Sequence, residues 1–161
     1  MKTTYSWRSA RRPAPDRKLL KKAMSDAARL AGLKTDSDWE FRVWFLDDRA
    51  MAQAHVDTMN VAGTTDVITL AYLEEPEALF PGDMGLELLI GVEVAAREGA
   101  ARADSSFADE LMLYLVHGCL HAAGENDLAE RERDRMRRRE AEVLGILRQT
   151  CDFNRIFPVR P

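Results

Sequence analysis

The chain has 161 residues, 46% of them hydrophobic, and a formal net charge of −4. That length and apolar content suit a single domain, 1–161, with a real core. No apolar run approaches the about 20 residues a membrane helix needs, and an acidic balance excludes nucleic-acid binding through bulk positive charge alone.

Residues 1–16 read as an irregular segment in which Pro13 and Pro15 fix an extended linker, with room for a short strand at Thr3–Arg8. The first residues lack the apolar centre of a signal peptide, so a cytosolic protein without a membrane partner is expected. Asp16 caps a helix over Arg17–Leu33, whose stripe is Leu19, Leu20, Ala23, Met24, Ala27, Ala28 and Ala31. Trp39–Leu46 alternates as a strand does, and Asp47 or Asp48 caps a helix to about Met59. A turn containing Gly63 leads to a β-branched strand at Thr65–Tyr72. Residues 73–84 hold Pro76, Pro81 and Gly82 and read as a loop. Leu86–Val94 is a strand apolar on both faces, followed by helices at about Val94–Arg102, Phe107–Ala123 and Leu128–Leu147. The last of these has Met136, Val143 and Leu144 inward, and Gly145 is placed to end it early. Its Arg131–Arg139 stretch alternates with Glu and reads as a solvated face. Residues 148–161 form a surface tail. The expected fold is α+β: a small mixed sheet packed with about five helices, one of them a zincin-like metal helix.

The chemistry concentrates at His117–Asp127. Two of the chain's three histidines, His117 and His121, stand four apart, one turn above the other on one helix face. A lone buried His is usually a core residue, but a pair followed by the Gly124 turn and the Asp127 carboxylate has the spacing of a metal site. Three protein ligands leave a fourth position open, as in catalytic zinc sites. The residue after the first His is Gly118, where zinc peptidases of the H-E-x-x-H type carry their general base, so that mechanism is disfavoured. Cys119 belongs to the opposite, core-facing side, and with Cys151 far away no disulfide framework exists, which suits a reducing compartment.

These blocks resemble the YbeY-type endoribonucleases, the bacterial rRNA maturation factors. The family's H-G-x-L-H-L-x-G-Y-D-H is matched by His117-Gly118-Cys119-Leu120-His121-Ala122-Ala123-Gly124-Glu125-Asn126-Asp127. Its T-D-V-L-S-F is matched by Thr65-Asp66-Val67-Ile68-Thr69-Leu70, and its S-V-E-V-A by Gly91-Val92-Glu93-Val94-Ala95. Ser106–Leu111 resembles the start of the family's histidine helix. The chain departs at three positions: the third family His is Asp127, the Asp before it is Asn126, and the Arg six residues before the T-D-V block is Met59.

The resemblance implies a metal-dependent, single-strand-specific endoribonuclease acting in rRNA maturation and ribosome quality control. Its partners would be ribosomal RNA and ribosomal proteins, and its cofactor one zinc ion on His117, His121 and Asp127. His55, four residues before Met59, is a candidate substrate-binding residue, and Glu125 and Glu93 are candidate bases on position alone. Two alternatives use the same residues: a zinc hydrolase of another substrate, and a ribosome-associated protein whose catalysis is weakened by Met59.

Overall fold

The computed structural model describes residues 1–72 and 85–159. Its elements run β1 (Lys2–Arg8), α1 (Arg17–Ala31), β2 (Glu40–Leu46), α2 (Asp48–Met59), β3 (Val67–Ala71), β4 (Gly85–Gly91), α3 (Val92–Ala101), α4 (Phe107–Ala122), α5 (Glu130–Thr150) and α6 (Phe153–Ile156). The fold is α+β. One mixed sheet has the order β1-β2-β4-β3, with β1, β2 and β4 parallel and β3 antiparallel to β4. The loop expected at 73–84 lies outside the described residues.

Alternation along β2 and β4 sends side chains to two cores. Phe41, Val43, Phe45, Leu86, Leu88 and Ile90 meet α1, α4 and α5 in the larger one. Leu46, Trp44 and Leu89 meet Met51 of α2 and Ile68 of β3 on the other face. Caps set the helix starts. Asp16 accepts from the Leu19 amide at 2.9 Å, Asp47 rather than Asp48 accepts from the Ala50 amide at 2.8 Å, and Ser106 accepts from the Asp109 amide at 3.1 Å.

The short strand for which Thr3–Arg8 left room is present as β1, which pairs in parallel along the whole of β2, with Tyr5 and Trp7 packed against Phe45. Three expectations are corrected. The strand expected to reach Val94 stops at Gly91, where a Cβ would stand 2.7 Å from the Thr65 carbonyl oxygen, and Glu93 falls in the first turn of α3. Gly145 does not end α5. Val143, Leu144 and Leu147 are buried on one side and hold the helix through it to Thr150. The surface tail holds a further helix, α6, with Phe153, Ile156 and Phe157 buried and the Phe157 ring 5.7 Å from that of Phe45.

Gly118 governs how closely α4 lies on the sheet. A Cβ there would come 2.5 Å from Leu88 Cδ2 and 2.8 Å from Cδ1, and Leu88 is fully buried. Any larger residue at 118 presses into β4. Gly118→Ala should therefore lower stability by about 1–3 kcal/mol, as overpacked cores do, read as a reduced urea midpoint. Leu88→Val in the same chain should recover part of the loss.

Candidate metal centre

The centre is built at the C-terminal end of α4. Helical spacing sets His117 and His121 with ring centroids 4.5 Å apart and planes at 82°. The chain leaves the helix through Gly124 at φ 101°, a left-handed turn that glycine takes without strain. The Glu125 amide returns to the Leu120 carbonyl at 3.0 Å. Asn126 Oδ1 then accepts from the Asp127 and Leu128 amides at 2.8 and 3.3 Å, a side-chain turn that aims Asp127 back at the helix. Asp127 Oδ2 lies 3.4 Å from His121 Nε2 and 3.7 Å from His117 Nε2. One ligand atom from each of the three residues lies within 4.8 Å of the other two. The edge of a tetrahedron around zinc at ordinary bond lengths is about 3.3 Å, and the two Asp127–His separations lie within a few tenths of an ångström of it.

Tautomers complete the fit. His117 Nδ1 bonds Glu140 Oε1 at 2.5 Å, and His121 Nδ1 bonds the Glu125 carbonyl at 3.0 Å. A carboxylate and a carbonyl only accept, so both Nδ1 atoms donate, which leaves Nε2, on the Asp127 side of each ring, as the atom a metal would take. A hydrogen bond on the far nitrogen is how metal-binding histidines are usually oriented and made more basic. The donor set, two imidazole nitrogens and one carboxylate oxygen, suits a divalent ion of the zinc type.

Burial pulls the pKa of His117 down, but the hydrogen bond and charge of Glu140, followed by the charges of Asp127 and Asp66, outweigh it and raise the net value. A metal competes with that proton, so affinity should fall with acidification from a higher pH than an ordinary His would give. Glu140→Gln removes the charge. It should move this edge to lower pH while weakening metal binding on the plateau about 10–100-fold, the usual effect of losing a ligand's orienting partner. Competition with a chromophoric chelator between about pH 5 and 8 reads both changes.

The other candidates have partners of their own. His55 Nδ1 bonds the Gly63 carbonyl at 2.9 Å, closing the turn after α2. The Glu93 carboxylate faces Ser9 and Arg12, each at 3.4 Å. The Glu125 carboxylate pairs with Arg135 at 3.2 Å, and its role at the centre passes through its backbone carbonyl. Met59 is 58% exposed at the end of α2. Glu140 is the residue that sequence reasoning missed. Its signal was an acidic side chain three and four residues before Val143 and Leu144, on the apolar stripe of α5.

A family model described as Endoribonuclease YbeY matches residues 7–148. The Endoribonuclease YbeY of Micrococcus luteus is 40% identical over 114 residues, covering 66% of this chain and 71% of its own. That of Chlamydia abortus is 35% identical over 109 residues, covering 66% and 68%. That of Pelotomaculum thermopropionicum is 33% identical over 136 residues, covering 82% and 86%. A solution structure of TM1509 from Thermotoga maritima aligns with a TM-score of 0.53 at 20% identity, covering 91% of this chain and 92% of that one, which shows a shared fold. With the family's histidine helix in place and the family match spanning most of the sequence, this chain belongs to the YbeY endoribonucleases.

Proposed function

We propose that the chain cuts single-stranded RNA with the help of one zinc ion held by His117, His121 and Asp127, and that its substrate is ribosomal RNA during maturation and quality control. The observation that carries this reading is the convergence of two Nε2 lone pairs and one carboxylate oxygen, with each Nδ1 already engaged by a fixed acceptor. A dication bound there supplies Lewis acidity, which acidifies water and offsets the charge growing on a phosphoryl oxygen. The protein's part is positioning. Glu140 and the Glu125 carbonyl hold the two rings, the Gly124 turn and Asn126 hold Asp127, and the partly exposed edge of the cluster leaves the fourth direction open to substrate.

A substrate panel tests the reading. Zinc-loaded protein should cut single-stranded ribosomal RNA segments and leave the same segments paired in duplex largely intact. Faster turnover of small esters or phosphodiesters than of any RNA would replace this substrate class with another served by the same metal group.

A further inference from the structure

The arginines of α5 fall into two sets once the helix is in place. A cleft of about 480 Å3 opens beside the metal-ligand group, with His117, Asp127, Tyr114, Arg133, Arg137 and Glu140 in its wall. Arg133, Arg137 and Glu140 follow one another at i, i+4 and i+7 and share one face of α5, whereas Arg131 and Arg138 point the opposite way. Glu140 bonds His117, which locks the register of the inner face to the metal group. Arg137 and Arg133 make no ion pair among the described residues. Arg133 donates from Nη1 to the Leu128 carbonyl at 2.8 Å and meets no carboxylate among the described residues. The third guanidinium of the wall, Arg102, already faces Glu98 at 3.2 Å and Glu110 at 3.8 Å. Among the described residues the wall carries the carboxylates of Asp66, Asp127 and Glu140, and Arg133 and Arg137 are its two guanidiniums outside any ion pair. Burial, then the charge of Glu110, raises the pKa of Tyr114, which keeps its phenol neutral in that wall.

We propose that Arg133 and Arg137 form a clamp for backbone phosphates of single-stranded RNA, beside the linkage presented to the metal group. The inference rests on the RNA-cutting function proposed above and names the residues that seat the strand. The two residues are offset by about 6 Å along the helix axis at their Cα atoms. Each presents the planar fork that suits phosphate oxygens. The contact reads charge and leaves the sequence unread, as phosphate contacts do.

The test is the salt dependence of RNA binding. Zinc-loaded protein is titrated against a fluorescent 2′-O-methyl oligouridylate across about 50–200 mM KCl, and cleavage of unmodified RNA is followed in parallel. Each lost phosphate contact on a single strand removes about 0.7 from the slope of log K against log salt. Arg133→Gln with Arg137→Gln should therefore flatten the slope by about 1.4 and raise KM for RNA more than it lowers kcat, with zinc affinity unchanged. Arg133→Lys with Arg137→Lys should keep most of the slope. Arg131→Gln with Arg138→Gln removes the same charge from the opposite face and should leave slope and KM near wild type. Equal flattening by both Gln pairs would overturn the clamp in favour of diffuse attraction. An unchanged slope in the Arg133/Arg137 pair, with wild type cutting normally, would overturn the clamp alone. Wild type that neither binds nor cuts RNA would overturn the underlying function and the clamp with it.

Discussion

His121→Ala should end both metal binding and RNA cleavage. The substitution removes one of three ligands and leaves His117 and Asp127, a pair that cannot hold zinc against water at ordinary concentrations. Cleavage should fall by at least the about 10²–10³-fold that follows loss of a strong electrostatic stabiliser. The His121 side chain is 27% exposed, so its truncation opens no hole in the core. The metal-free variant should accordingly unfold within about 1 kcal/mol of metal-free wild type. Isothermal titration with zinc, a urea melt and an RNA-cutting assay separate loss of the site from loss of the fold. A variant that still binds one zinc per chain and cuts would remove His121 from the centre.

Asp127→His should keep the centre and shift its pH optimum downward. Asp127 adds a negative charge to the ligand set, which lowers the positive field that acidifies water there. An imidazole would restore that field without adding charge. The shift should be on the order of one pH unit, inside the span from about 7 for water on a three-His zinc site to about 9 for water on aqueous zinc. The Asp127 side chain is 36% exposed, which leaves room for the larger ring. Asp127→Ala, by contrast, should weaken zinc binding beyond the about 10–100-fold assigned to partners that only orient a ligand. A pH–rate profile of RNA cleavage by the three proteins decides the matter. An optimum that stays put or rises in Asp127→His would show that Asp127 does not set the acidity of the site.

The three candidate metal ligands were legible because their convergence depends on local geometry. Helix period aligns His117 with His121, and Gly124 at positive φ turns the chain so that Asp127 faces them. Glu140 was not legible in that way, since only the packing of α5 on α4 brings it to His117 across 23 residues of sequence. The bond from His55 Nδ1 to the Gly63 carbonyl was not legible either, because it depends on the turn after α2. The core was read well where strands alternate, as in Phe41, Val43 and Phe45. At the N-terminal end a strand over Thr3–Arg8 was legible, but its place in the sheet comes from long-range pairing with β2. The C-terminal end was read poorly. The apolar spacing of Phe153, Ile156 and Phe157 fills barely one turn, too short a pattern to distinguish a docked helix from a tail. Gly118 carried two messages: the missing peptidase base was readable, whereas its contact with Leu88 required the sheet.

If RNA cutting depends on a metal held by His117, His121 and Asp127, metal titration of the stripped protein will show it. The chain is freed of metal with a chelator, returned to chelator-free buffer, and supplied with zinc in steps while cleavage of single-stranded RNA and bound metal are measured on the same samples. Cleavage should be absent before zinc is added, then rise in proportion to bound zinc and stop rising at one ion per chain. Equal cleavage by the stripped and the fully loaded protein would contradict that dependence.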